Sequence, residues 1–184
     1  MARQARVAPL AAPEAFDEGG FAERFVEEVR RYYPFTPFLG AKVKAPFEWR
    51  GHAFAPGTLV LLDVYGTLHD RRIWPEPHRF DPDRFETAAD DDLAFIPQGG
   101  GEALGHRCAG EWVTRYNLRL AVHFLTRCLS YEVSPAQDLR VDLHRMPARP
   151  SSGLVLENVK TMPALDAPAP LLTMARPARA RAAE

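Results

Sequence analysis

The chain has 184 residues, a formal net charge of −1 at pH 7 and 46% hydrophobic residues, which suffices for one domain with its own core. The near-neutral charge argues against nucleic acid or an anionic membrane surface as the main partner, and no apolar run is long enough to span a bilayer. The two cysteines, Cys108 and Cys128, can form neither a disulfide framework nor a paired-cysteine zinc site, so the expected location is a reducing cytoplasm.

The first predicted element is an amphipathic helix. Residues 1–19, rich in Ala and Pro, predict an irregular leader that precedes it. From Phe21 to Val29 apolar residues recur at helical spacing, with charged residues on the other faces. Pro34 cannot continue a helix, so we expect the helix to end before it.

A β region and an irregular segment follow the first helix. Residues 42–49 and 52–54 predict two strands joined by a tight turn, and the continuous apolar run over residues 59–64 predicts a buried strand. The prolines of residues 74–85 exclude long regular elements and predict a tightly held meander.

A glycine-rich loop over residues 95–112 delivers one cysteine to the start of a long apolar helix. A helix N-terminus carries partial positive charge, and the two basic residues before Cys108 add to it, which favours a thiolate. The glycines let the backbone approach a large flat ligand closely. A thiolate presented in this way suits the iron of a haem.

The last part of the chain is predicted to be mixed in structure. Strands are expected over residues 131–133 and 153–159, and the composition of residues 161–184 predicts a disordered tail. Because the elements are local and show no alternating parallel pattern, the predicted fold class is mainly α with small β-sheets, an α+β fold. The folded part is expected to span residues 20–160.

Three motifs, in this order, carry a family resemblance. The first is Glu28-x-x-Arg31 in the first helix, the second is FDPDRF at residues 80–85, and the third is the Cys108 loop with its Cys-x-Gly. Together they resemble the C-terminal half of cytochrome P450, the haem-thiolate oxygenase superfamily. The resemblance covers about residues 21–159, and it implies the C-terminal portion of that fold and a haem b cofactor.

The cysteine loop narrows the resemblance to one branch. Phe95 lies farther before the cysteine than is usual in the superfamily, and His106 stands where an arginine is usual. This long loop, together with EVRRYYPF at residues 28–35, resembles the bacterial fatty-acid peroxygenases. Members of that branch use hydrogen peroxide directly to hydroxylate or decarboxylate long-chain fatty acids. The resemblance therefore implies fatty acid and hydrogen peroxide as partners, without an electron-transfer protein.

Two alternatives stay open at this point. A monooxygenase that receives electrons from a redox partner shares the superfamily motifs, and the residues that decide between the two lie upstream of the matched part. The chain could also be a non-catalytic truncated remnant. Because it supplies only the half of the fold on the ligand side of the haem, the isolated chain is expected to expose apolar faces, to bind haem poorly and to show no turnover.

The resemblance assigns roles to individual residues. Cys108 is the catalytic residue and the axial iron ligand, whose thiolate donates electron density and helps to cleave the O–O bond of peroxide. His106 and Tyr33 are expected to meet a haem propionate, Phe35 to contact the acyl chain, and Gln98 to donate a hydrogen bond to the thiolate. For Tyr33 and Phe35 the alternative is ordinary aromatic packing, and for Gln98 it is a side chain that faces water.

Glu28, Arg31 and Arg84 resemble the structural charge triad of the superfamily. A carboxylate buried between two guanidinium groups would have its charge satisfied, so the expected role is in the fold and not in catalysis. For Arg84 the alternative is an ordinary surface arginine. Cys128, on the long helix, is expected to be a core residue.

Overall fold

The structure is a computed structural model that describes residues 20–87, 93–101, 105 and 107–162. The predicted leader and residues 163–184 of the predicted tail lie outside the described residues. The elements of the described part are α1 (Phe21–Tyr32), β1 (Phe38–Lys42), β2 (Phe47–Trp49), β3 (His52–Phe54), β4 (Leu59–Asp63), α2 (Val64–Leu68), α3 (Arg84–Thr87), α4 (Glu111–His123), β5 (Leu129–Val133), β6 (Val141–Asp142), β7 (Arg149–Pro150) and β8 (Leu156–Thr161).

The predicted amphipathic helix from Phe21 and the predicted helix after Cys108 are both confirmed. Helix α1 ends at Tyr32, two residues before Pro34, and the amide of Tyr33 donates to the carbonyl oxygen of Val29 at 2.9 Å. Helix α4 begins three residues after Cys108 and continues into a π-helical turn over Phe124–Cys128. The buried residues of α1 include charged ones, so this helix buries ion pairs as well as apolar surface.

The sheets of the described part are two-stranded antiparallel pairs: β1 with β4, β2 with β3, β5 with β8, and β6 with β7. The predicted tight turn falls at Arg50 and Gly51, which both have positive φ, and it joins β2 to β3. The single strand predicted over residues 42–49 is wrong. Instead, β1 ends at Lys42 and β2 begins at Phe47. The strand is interrupted there because Pro46, which lies between the two, has no N–H to donate to a strand ladder.

The apolar core is small. Val64, Leu68 and Trp74 are buried together, and Phe85 and Phe95 pack against them. This cluster joins α2 to the meander and to the first residue of the cysteine loop. As predicted, the meander forms no helix or strand until α3 begins at Arg84.

The strand predicted over residues 59–64 forms, but the prediction that it is buried is wrong. Strand β4 forms there, but Leu59 is 61% exposed and Leu61 is 58% exposed. An apolar run predicts burial only where a second layer covers the strand. The described residues supply β1 as a hydrogen-bonded neighbour and leave most of the β4 surface open.

The C-terminal pair β5–β8 extends the folded part beyond its predicted end. Thr161, expected to open the tail, is the last residue of β8, and the amide of Met162 donates to the carbonyl oxygen of Cys128 at 2.8 Å. Cys128 is half-buried.

None of the helices within the described ranges is long and apolar enough to cross a membrane. The helices with small sheets confirm the predicted α+β class.

Candidate functional site

Cys108 lies at the end of the glycine-rich loop, just before α4. Its amide donates to the carbonyl oxygen of Gln98 at 2.9 Å, and its own carbonyl oxygen accepts from the amide of Glu111 at 3.0 Å. The first bond joins the cysteine to the other arm of the loop, and the second joins it to the first turn of α4. The thiol is free and exposed, so its sulfur is accessible to a metal.

The structure gives the Gln98 side chain a different partner from the predicted one. Its Nε2 donates to the hydroxyl of Thr114 at 3.0 Å, and that hydroxyl donates to the carbonyl oxygen of Gly110 at 3.1 Å. The predicted acceptor was the Cys108 sulfur. Because Thr114 stands one turn into α4, the hydrogen bond to its hydroxyl joins the loop to the helix. The Gln98 amide has a second N–H, so its hydrogen bond to the Cys108 sulfur stays a prediction.

The structure brings Glu28, Arg31 and Arg84 into contact. Arg31 donates from Nε and Nη2 to the two oxygens of Glu28 at 2.7 and 2.8 Å. Nε of Arg84 lies 3.2 Å from Oε2 of Glu28, and the amide of Asp81 donates to Oε1 at 2.8 Å. Glu28 and Arg31 are fully buried, so their charges are satisfied by each other and by the meander.

The two arginines of this triad also bind backbone carbonyl groups. Nη1 of Arg31 donates to the carbonyl oxygen of Leu68 at 2.8 Å. Arg84 donates to the carbonyl oxygens of Pro75 and Arg79 at 2.9 and 3.0 Å, and its side chain is only 10% exposed. The triad therefore fastens α1 to the end of α2 and to the meander, and Arg84 is not an ordinary surface arginine.

A second, partly buried ionic cluster joins α1 to α4. Nη2 of Arg30 donates to Oε1 of Glu111 at 2.6 Å, and Arg30 also pairs with Glu27. From the loop side, Nε of Arg107 donates to Oε2 of Glu111 at 3.0 Å. Nε of Arg115 lies 2.8 Å from Oε1 of Glu27. The cluster thus connects the residue before Cys108 to the helix that carries the triad.

The carboxyl group of Glu111 is ionised at neutral pH although it is buried. Burial raises the pKa of Glu111, but the hydrogen bond from Arg107 and the charge of Arg30 outweigh this effect, so the pKa lies below its ordinary value. Sequence reasoning missed this cluster. The available signal was the pair Glu27-x-x-Arg30, which lies one residue before the triad pair.

Two of the remaining predicted site residues, Tyr33 and Phe35, follow the end of α1. Tyr33 is 42% exposed and its ring packs on that of Tyr32, with the ring centroids 4.8 Å apart. Burial, and then the neighbouring Tyr32, raise the pKa of Tyr33, so its hydroxyl is a hydrogen-bond donor at neutral pH. Phe35 is 67% exposed, and its carbonyl oxygen accepts from the amide of Ala148 at 3.0 Å. His106 lies outside the described residues.

The donor set around Cys108 fits an iron porphyrin. The described residues contain no group of three or more His, Cys, Asp or Glu side chains that could hold a metal ion by themselves, whereas Cys108 presents one exposed sulfur. Gly99 and Gly101 have φ values of 93° and 82°, and a side chain at Gly101 would meet no atom within 4 Å. A single soft ligand suits a metal whose other ligands come from a flat macrocycle.

Comparisons with known proteins match most of this chain. The family model described as cytochrome P450 matches residues 20–161. The structure of cytochrome P450SP alpha (CYP152B1) with (R)-ibuprophen is 44% identical, with a TM-score of 0.74, over 84% of this chain and 38% of that one. The structure of cytochrome P450EX alpha (CYP152N1) with myristic acid is 47% identical, with a TM-score of 0.71, over 82% of this chain and 37% of that one.

The matched proteins are much longer than this chain. Cytochrome P450 4A7 from Oryctolagus cuniculus is 32% identical over 111 residues, which are 59% of this chain and 21% of that protein. The chain therefore spans about a fifth of this curated relative and less than two fifths of the two solved structures.

Proposed function

The chain belongs to the cytochrome P450 family, and on that premise we propose that it carries the haem-ligating part of a peroxygenase, an enzyme that oxidises fatty acids with hydrogen peroxide. The observation that carries the proposal is the exposed Cys108 thiol, held between Gln98 and the start of α4. The identity of 47% to P450EX alpha, whose structure contains myristic acid, favours a fatty acid as the substrate.

Each site residue has a role in this proposal. The Cys108 sulfur would bind the iron of haem b, and Gln98 and Glu111 hold the backbone of Cys108 in place. The Tyr33 hydroxyl would donate a hydrogen bond to a haem propionate, and His106 would do the same. When bound, the haem supplies the oxygen-transfer chemistry.

The exposed segment after α1 is proposed to contact the substrate. Phe35, which follows Pro34, leaves most of its ring uncovered and offers an apolar surface to an acyl chain. In hydroxylation, one oxygen of hydrogen peroxide enters a C–H bond of the fatty acid to give an alcohol, and the other leaves as water. The balance needs no external electron donor, which distinguishes this reaction from that of a monooxygenase.

The test uses the full-length gene product, meaning this chain together with any coding sequence that precedes Met1 in frame. The haem-loaded protein is incubated with myristic acid and either hydrogen peroxide alone or NAD(P)H with a reductase, and the products are identified by mass spectrometry. We expect oxidised fatty acid with peroxide alone. Products only with NAD(P)H and reductase would indicate a redox-partner-dependent monooxygenase instead. A haem-loaded protein that gives no product in either arm would indicate a non-catalytic remnant.

The isolated 184-residue chain is expected to bind haem poorly and not to turn over. Apolar side chains are exposed on α4 and on the π-helical turn that follows it, with Val113 59% exposed and Phe124 51% exposed. Exposed apolar surface of this kind favours association over binding of a cofactor. Haem is added to the chain, and the difference spectrum of the reduced form with carbon monoxide is recorded. A strong thiolate-type Soret band from the isolated chain would contradict this expectation.

A further inference from the structure

Helix α1 carries two overlapping Glu-x-x-Arg pairs that serve different parts of the molecule. Glu28 and Arg31 contact the meander and the end of α2. Glu27 and Arg30 contact α4 instead. A step of one residue turns a helical side chain by about 100° around the axis, so each pair faces its own segment.

Arg30 contacts both ends of the loop that holds Cys108. At the start of the loop, its guanidinium group lies over the ring of Phe95, 5.1 Å from the ring centroid. At the end of the loop, its Nη2 donates to Oε1 of Glu111 at 2.6 Å. The Arg30 side chain is only 3% exposed, so both contacts are made away from bulk water, where they are strongest.

Both contacts adjoin the backbone hydrogen bonds that hold the cysteine. Glu111, which binds Arg30 through its carboxylate, gives its amide to the carbonyl oxygen of Cys108. Phe95 comes three residues before Gln98, whose carbonyl oxygen accepts from the amide of Cys108. One guanidinium group therefore links the two arms of the loop whose pairing sets the position of Cys108.

From these contacts we infer that Arg30 is a positioning residue for the cysteine ligand. Through Phe95 and Glu111 it fixes the spacing of the two loop arms, and so the direction in which Cys108 presents its sulfur to the haem. The inference rests on the ligand role proposed for Cys108, but the arrangement of the loop is a property of the chain itself and can be measured without haem.

The contacts of Arg30 depend on the shape of arginine. The guanidinium group lies over the ring of Phe95, while two different nitrogens of the group donate to Glu27 and Glu111. Lysine carries the same charge but concentrates it at one nitrogen, so Arg30→Lys cannot keep all three contacts. We therefore expect Arg30→Lys to fall between the wild type and Arg30→Met.

The first experiment measures hydrogen–deuterium exchange in the full-length gene product. Arg30→Met is expected to speed exchange at the amides of Cys108 and Glu111 by about ten- to a hundredfold, the effect of losing one charge-assisted hydrogen bond. Arg119→Met is the matched control, because Arg119 lies on the same α1–α4 interface and pairs with Glu23 at 2.8 Å. Its effect on the two loop amides is expected to stay within about twofold.

The amides paired between β5 and β8 serve as a reference within each sample. If Arg30→Met speeds exchange at the β5–β8 amides by the same factor as at Cys108, Arg30 acts on the stability of the whole fold and the inference is overturned. Unchanged exchange at the Cys108 and Glu111 amides would overturn it as well. If Arg30→Met does not fold, the same comparison is made with Arg30→Lys.

The second experiment measures ligation of the haem iron by the Cys108 sulfur. In the haem-loaded full-length gene product, reduced and bound to carbon monoxide, Arg30→Met is expected to lower the fraction of the thiolate-type Soret band, while Arg119→Met leaves it as in the wild type. An equal fraction in Arg30→Met and in the wild type would overturn the inference. A wild-type protein that shows no thiolate-type band would refute the proposed function instead, and the exchange experiment would still decide whether Arg30 holds the loop.

Discussion

Removal of the negative charge at Glu28 is expected to destabilise the protein severely. The fully buried carboxylate of Glu28 accepts two hydrogen bonds from Arg31 and one from the Asp81 amide, and it lies 3.2 Å from Nε of Arg84. In Glu28→Gln the side chain keeps its size, but one oxygen becomes an amide nitrogen that faces N–H donors. The buried Arg31 cation then lacks a counter-charge, which costs about 3–5 kcal/mol.

This magnitude can be measured by urea unfolding followed by circular dichroism. A typical domain is stable by about 5–15 kcal/mol, so the expected loss shifts the unfolding midpoint far toward zero urea. The matched control is Glu76→Gln, because Glu76 and Arg79 form a pair with both side chains more than 60% exposed. That substitution is expected to cost less than about 1 kcal/mol. Equal losses in the two variants would refute the reasoning that burial makes the triad carboxylate indispensable.

Two further predictions concern α2. Burial lowers the pKa of His69 to about 4 from its ordinary 6.5, so the ring is neutral in the folded state at neutral pH. Because the unfolded state binds the proton first, the free energy of unfolding should fall by at most about 3 kcal/mol as the pH drops from 6.5 toward 4. In His69→Phe, urea midpoints measured over this pH range should fall less steeply. An equally steep fall in the variant would contradict this. In Gly66→Ala the new Cβ would lie 2.1 Å from Oδ2 of Asp63, so the carboxylate must leave the Gly66 amide that it caps at 2.7 Å, at a cost of about 1 kcal/mol in thermal unfolding. An unchanged melting temperature would argue against it.

Local signals in the sequence were enough to predict the elements that frame the site. The apolar stripe from Phe21 and the stop at Pro34 predicted α1, and the apolar run after Cys108 predicted α4. The turn at Arg50 and Gly51 was predictable because it depends on the conformational preferences of two neighbouring residues. The Glu-x-x-Arg motif correctly predicted the contact between Glu28 and Arg31.

Features that depend on residues far apart in the chain were not predictable in the same way. Arg30 and Glu111 are separated by 81 positions, and no local pattern relates their side chains. The hydrogen bond from the Gln98 amide to the Thr114 hydroxyl depends on how α4 packs on the loop. The exposure of β4 depends on which other segments cover the strand. The apolar run that begins at Leu59 contains no information about those segments.

The ligand role of Cys108 is tested most directly by the reduced carbon-monoxide spectrum of the haem-loaded full-length gene product. The two cysteines give a matched pair of variants, since Cys108 is exposed on the loop and Cys128 is half-buried at the end of the π-helical turn. We expect Cys108→Ala to abolish the thiolate-type Soret band and Cys128→Ala to retain it. A thiolate-type band that persists in Cys108→Ala would contradict the assignment of this sulfur to the iron.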